Sequence, residues 1–188
     1  LHHDLSPLTG ILGTVGGAIF GNAGQGPQGI WIDQYVVSVD AFIDGAWKTF
    51  SKEECEFAYR ESVFKHMTST PLIWSVKLKI PTRPQAEVEA EVQRLIQRRL
   101  ETQPHVKTAG SCFVAVDGVP AWKAIDAAGL RGHTVGGVQV AEKHANFLLN
   151  AGEATYSDAV QVVEDVRKAI GDVRVEMRFV EPDGKLKF

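Results

Sequence analysis

The sequence predicts an α+β fold. Three observations carry that prediction: strand-like alternation at residues 35–43, 72–80 and 173–179, amphipathic helical periodicity at 83–101 and 155–170, and the lack of any regular βαβ order between them. Of 188 residues, 44% are hydrophobic and 23% charged, an ordinary globular composition, and no internal repeat is visible. The net charge of −3 and the absence of a basic run give no footprint for nucleic acid. No apolar run reaches the roughly 20 residues needed to span a bilayer. Cys55 and Cys112 form no Cys-x-x-Cys pair and no signal-peptide pattern opens the chain, so a reduced, cytoplasmic setting is expected. The chain opens on Leu1 rather than methionine, and the expectation is that upstream sequence has been removed.

His2-His3-Asp4 lacks the further ligands of a four-coordinate site, so no metal is expected there. Between Gly10 and Gly29 lie eight of the 18 glycines and neither Lys nor Arg. Small apolar residues separate those glycines, which argues against a solvated tether. The segment reads as a backbone surface packed against a flat or phosphorylated ligand, or against another piece of chain. Val37, Val39, Ala41 and Ile43 share one strand face, and Asp44-Gly45 supplies a tight turn into 46–50. Ser51 and Glu54 match a capping box, predicting a short helix. Leu72, Trp74, Val76, Leu78 and Ile80 then alternate as the clearest strand.

Pro81 to Pro84 break the pattern, which places a subdomain boundary there, with Thr82 capping a helix through Val88, Val92, Leu95 and Ile96 to about Glu101. Residues 110–116 read as a strand, Pro120 opens a short helix closed by Gly129, and 136–140 and 145–149 read as short strands around a polar corner at Glu142-Lys143-His144. Thr155 caps a helix whose Ala159, Val162, Val163, Val166 and Ile170 form one stripe. Val173, Val175, Met177 and Phe179 alternate in a final strand, with Arg174, Glu176 and Arg178 on its other face.

The glycine run has neither the dinucleotide Gly-x-Gly-x-x-Gly after a strand nor the Gly-Lys-Ser/Thr of a P-loop. No Gly-x-Ser-x-Gly elbow surrounds Ser111, which excludes the usual hydrolase nucleophile. By spacing alone, Arg60 reads as an ion-pair residue, His144 as a hydrogen-bonded structural histidine, and the charges of the last strand as a solvated row.

In combination these residues say more. GTVGGAIFGNAG (13–24), YRESVFK (59–65), AGS (109–111), AAGLRG (127–132), GGVQVAEKHANFLLN (136–150) and VEMRFV (175–180) occur in the order and spacing of one family. The chain resembles the UDP-N-acetylenolpyruvoylglucosamine reductases (MurB), flavoenzymes of peptidoglycan precursor synthesis, over nearly its whole length from Leu8. The resemblance implies the C-terminal part of a FAD-binding, vanillyl-alcohol-oxidase-like subdomain over 1–82, followed by a MurB-type α+β substrate-binding domain over 83–188. It implies that NADPH reduces FAD, and that the flavin passes a hydride to the enolpyruvyl methylene carbon of UDP-N-acetylglucosamine enolpyruvate, giving UDP-N-acetylmuramate.

Carried over by motif, Ser111 resembles the proton donor, and Arg60 and Glu176 resemble the groups that polarise the enolate-like intermediate. Gly13, Thr14, Val15, Gly16, Gly17, Asn22 and Gly24 match the part of the FAD site lined by backbone amides, and Tyr59 and Lys65 match substrate contacts. The short interval from Arg60 to Ser111 is similar to that of the class without a substrate-capping insertion. Two departures stand out: Val114-Ala115-Val116 replaces the Lys-Asn-Pro that usually follows Phe113, and Leu12 stands where proline usually precedes Gly13. The family's N-terminal FAD subdomain is not in this sequence and is implied as the missing partner wall. A different class, a non-catalytic relative that binds a sugar nucleotide or another protein, is the alternative.

Overall fold

The computed structural model describes residues 1–25, 29–115 and 117–188. Gly26 of the glycine-rich segment and Val116 of the predicted strand lie outside them. The chain forms two compact units, Leu1–Arg99 and Leu100–Phe188.

In the first unit, β1 (His2–His3) pairs antiparallel with β5 (Thr82–Arg83), and Asp4 closes the join through its backbone to Pro81 and its carboxylate to Arg83 at 3.0 Å. A short helix α1 (Val15–Phe20) precedes a sheet ordered β3-β2-β4. Strands β2 (Val36–Ile43) and β3 (Ala46–Ser51) form the expected hairpin. Asp44 and Gly45 both take positive φ, 52° and 78°, the geometry whose twist suits a two-residue turn. Ile19, Val39, Ala41, Phe50, Cys55 and Phe64 centre the core.

Strand β4 (Leu72–Leu78) corrects the predicted alternation. Asp40 pairs with Ser75 but Ala41 pairs with Ile73, so Trp74 is the extra residue of a bulge. A one-residue insertion exchanges faces. Ile73 therefore turns to the core while Leu72 and Trp74 are exposed, Trp74 at 71%. A second shift in the same pairing isolates Val37, which is 42% exposed while its neighbour Val36 is buried.

Two local predictions are likewise revised. The Ser51–Glu54 capping box forms, with Ser51 N–H donating to Glu54 at 2.8 Å and Glu54 N–H to Ser51 Oγ at 3.2 Å. The chain nevertheless makes only turns after it, because Glu56 adopts φ 49° and ends the helical path. Helix α2 (Gln85–Thr102) starts from Pro84, whose carbonyl accepts from Glu87 and Val88, instead of from a Thr82 cap. A residue before proline is pushed out of the helical region, which keeps Arg83 extended in β5.

The second unit is an antiparallel sheet ordered β6-β9-β8-β7 with two helices. Its strands are β6 (Thr108–Ser111), β7 (Thr134–Val135), β8 (Val138–Val140) and β9 (Phe147–Asn150). Helix α3 (Ala121–Ala127) opens after Pro120 and closes at Gly129, φ 71°, as its punctuation predicts. Helix α4 (Tyr156–Ile170) begins with a full capping box between Thr155 and Asp158 and buries Val162, Val163 and Val166 along the predicted stripe. These valines meet Cys112, Phe113, Ile125, Val140 and Leu148 in the core. The predicted last strand is reduced to a single bridge, Phe113 to Val175, with a second bridge joining Val180 to Leu186.

Candidate active site

In the first unit the glycine-rich segment has two halves. Thr14 caps α1 by accepting from Gly17 N–H at 3.1 Å, which fixes where the helix begins. Gly13, at φ 130°, has no atom within 4 Å of where a Cβ would stand, and Gly16 has only Ile73 at 3.8 Å. Leu12 and Val15 beside them are 94% and 59% exposed. The segment thus presents bare backbone and apolar side chains as far as α1, where Ile19 anchors it in the core.

Its second half is packed inside the unit. Asn22 is fully buried at φ 41°, its amide donating to Ala58 at 2.9 Å and accepting from Asp33 N–H at 3.2 Å. Gly24 faces Trp31 so closely that a Cβ would lie 2.0 Å from the indole. This half meets the Tyr59-to-Lys65 stretch. Arg60 donates to Asn22 O at 3.4 Å and Gly24 O at 3.1 Å, and Lys65 Nζ donates to Arg60 O at 2.5 Å. The guanidinium lies 5.4 Å from the centre of the Tyr59 ring, itself 5.9 Å from Trp31. Arg60 has φ 58°, a conformation that costs a non-glycine residue on the order of 1 kcal/mol and persists where surrounding contacts over-determine it. The unit therefore brings Asn22, Gly24, Tyr59, Arg60 and Lys65 together, and leaves Gly13, Thr14 and Val15 at the exposed start of α1.

In the second unit Ser111 ends β6, half-buried, just after Gly110 at φ 86°. The next three residues run between two hydrogen-bonding partners. On one side, Cys112 N–H donates to Asn146 O at 2.8 Å, and the Asn146 side chain bonds Phe113 twice. It accepts from Phe113 N–H at 3.0 Å and donates to Phe113 O at 2.9 Å. On the other side, Glu176 N–H donates to Cys112 O at 2.8 Å and Val114 N–H to Arg174 O at 2.9 Å. Ser111 and Glu176 are thus tied through the backbone of Cys112. Burial pushes the Cys112 thiol up to about 12, so it stays protonated and inert. His144 is held below its usual 6.5 by burial, and its Nδ1 accepts from Asn146 N–H at 3.2 Å, as a neutral imidazole can.

Asn146 is the residue that sequence reasoning passed over. The signal was an amide set within the apolar run 145–149, since a polar group buried there must find partners.

Residues 102–177 match the profile of the C-terminal domain of UDP-N-acetylenolpyruvoylglucosamine reductase. The chain is 40% identical over 163 residues to the protein of that name from Thermotoga petrophila, covering 86% of this chain and 56% of the relative. Against the protein of the same name from Paramagnetospirillum magneticum it is 40% identical over 168 residues, covering 87% and 52%. It is similar to the crystal structure of the reductase from Thermus caldophilus, with a TM-score of 0.82 and 32% identity over 92% of this chain and 62% of that one. The chain spans about half the length of the curated relatives it matches.

Fold and relatives together define the class, an α+β chain of an oxidoreductase family. More narrowly, the chain belongs to the UDP-N-acetylenolpyruvoylglucosamine reductase family, and its second unit carries that family's C-terminal domain.

Proposed function

We propose that this chain forms part of a UDP-N-acetylmuramate dehydrogenase, which reduces UDP-N-acetylglucosamine enolpyruvate to UDP-N-acetylmuramate in peptidoglycan precursor synthesis. The observation that supports it most directly is the backbone link between Ser111, at the end of β6, and Glu176, beside the Phe113–Val175 bridge, both within the matched domain. Residues 1–82 take the role of the second FAD-binding subdomain and 83–188 that of the substrate domain. The site works in the cytoplasm, where sugar nucleotides are made; among the described residues no helix is long and apolar enough to cross a membrane.

The glycine-rich segment fits a flavin nucleotide, because its first half offers exposed backbone without side chains in the way. Gly13, Thr14, Val15, Gly16 and Gly17 would line it, while Asn22 and Gly24 shape the segment from beneath. FAD, when bound, supplies the two electrons of the reduction, drawn from NADPH.

The chain's own residues do the rest. Reduction at the methylene carbon leaves the carbon next to the carboxylate enolate-like, and Ser111 Oγ–H delivers the proton there. A serine hydroxyl is a weak acid and needs preorganised charge around it to part with its proton. Arg60 offers a planar fork to the substrate carboxylate as negative charge develops. Glu176 polarises the same intermediate, and Tyr59 and Lys65 bind substrate.

Stopped-flow measurement on the flavin-loaded protein, expressed at the length of its relatives, tests this. Ser111→Ala is expected to slow reoxidation of reduced flavin by the enolpyruvyl substrate roughly 10²–10⁴-fold, leaving flavin reduction by NADPH nearly unchanged. Equal loss in both half-reactions would remove Ser111 from the role.

One observation favours a second reading, a module that binds a sugar nucleotide without turnover. Val114, where the family usually has lysine, is only 6% exposed and packs inward instead of offering a polar contact. A folded, flavin-loaded protein that binds the enolpyruvyl sugar nucleotide yet oxidises no NADPH would select it.

A further inference from the structure

We propose that Asn146 is the positioning residue of this site: its side chain clamps Phe113 and so sets the spacing of Ser111 and Glu176. The inference rests on the catalytic reading of those two residues given above.

The argument begins with what the backbone lacks. Asn146 lies within a tight turn closed by Phe147 N–H donating to His144 O at 3.0 Å, so residues 144–146 cannot offer Phe113 a regular ladder. Phe113 is 2% exposed, and a buried peptide group left unpaired is strongly disfavoured. The Asn146 amide supplies one acceptor and one donor in the places a strand peptide would, at 3.0 and 2.9 Å. Its own backbone is occupied as well, the N–H by His144 Nδ1 and the carbonyl by Cys112 N–H. Every polar group of Asn146 is therefore used, and the residue is 7% exposed.

Alternation along an extended chain makes the clamp act at a distance. When Phe113 N–H and C=O point towards Asn146, Cys112 C=O and Val114 N–H point the other way. Those two groups hold Glu176 N–H and Arg174 O. Rotation of the Phe113 peptide would move the Cys112 carbonyl, and with it the segment that carries Glu176. Ser111, directly preceding Cys112, would be displaced relative to Glu176 as a result.

Two measurements test the proposal. The first, on the chain itself without cofactor, is amide hydrogen exchange in Asn146→Ala. Phe113 and Glu176 amides are expected to exchange roughly 10–100-fold faster, with those of α4 unchanged as a check on folding. Loss of protection at Phe113 alone would overturn the coupling, because Glu176 would then be held independently.

The second uses the flavin-loaded protein. Asn146→Ala is expected to slow flavin reoxidation by the enolpyruvyl substrate about 10²-fold, the order expected for a displacement near 1 Å, with flavin reduction unchanged. Asn146→Asp retains the shape and the acceptor but regains a donor only when protonated. Its reoxidation rate, relative to wild type, should therefore rise as pH falls. A flat ratio, or equal loss in both half-reactions, would make Asn146 merely structural. Failure of the wild type to reoxidise with this substrate would instead sink the catalytic reading, while the exchange result would still decide the clamp.

Discussion

Gly24 shows how far one residue's identity depends on what lies opposite. A Cβ there would stand 2.0 Å from the Trp31 ring and 2.5 Å from Ile30 O, and the backbone atom cannot swing aside. Gly24→Ala is thus expected to destabilise the protein by about 1–3 kcal/mol, the usual cost of overpacking, read as a lower urea midpoint at unchanged slope. Gly13→Ala meets no neighbouring atom, and its cost comes from φ 130° alone. The two glycines look alike in the sequence and have different reasons to be glycine. Ser111, Arg60 and Glu176 become candidates only as members of an ordered set of motifs, since a serine beside a glycine or an alternating charge row has no distinctive chemistry by itself. Asn146 was not legible even so, because its value lies in one buried peptide 33 positions away.

The β4 bulge makes the corresponding point for an element. Asp40 to Ser75 and Ala41 to Ile73 would form a regular ladder if Trp74 were absent, with Ile73 still facing inward. Deleting Trp74 should therefore be tolerated, at no more than the roughly 1.5 kcal/mol of an aromatic pair such as that with Trp47, measured by urea unfolding. A deletion that abolished folding would show that the bulge itself, beyond the pairing, is required. Thr155→Ala, by contrast, removes the acceptor that starts α4 and should cost about 1 kcal/mol. Elements with local punctuation were readable in advance: the Asp44-Gly45 hairpin, α3 between Pro120 and Gly129, and α4 behind its capping box. What could not be read were features set by partners distant in sequence. Period-two alternation does not announce a bulge, and the capping box at Ser51 formed without its helix because Glu56 turns the chain. The predicted last strand kept its inward valine and phenylalanine, yet among the described residues 173–179 make a single bridge, to Phe113.

Across the molecule, hydrogen bonds to carboxylates and burial of His144 and the two thiols each favour one protonation state in the folded form, which defines a pH window of stability. In the first unit, the Ser6 hydrogen bonds and the neighbouring Arg83 hold Asp4 below its usual 3.8, and Ser75 and Thr49 do the same for Asp40. In the second, Arg131 lowers Asp126, the Thr155 and Gly137 amides lower Asp158, and His133 lowers Asp165. A carboxyl lowered on folding contributes stability that is present above 3.8 and lost as pH falls through its native value. His144, lowered from 6.5 by burial, favours the neutral native form, so its contribution is lost earlier, as pH falls below 6.5. The cysteines act in the opposite sense. Burial raises Cys55 from 9.0 to about 11 and Cys112 to about 12, so the native thiols stay protonated where unfolded ones ionise. Their contribution is complete below 9.0 and is lost as pH rises towards those values. Urea midpoints should accordingly be flat between about pH 7 and 8.5, fall in two stages on the acid side, and fall again above about pH 9. Cys112→Ala is the discriminating variant. It should lower the plateau by the lost packing and make the alkaline decline shallower, leaving the part due to Cys55, whereas an unchanged alkaline slope would mean that the decline arises from groups other than Cys112.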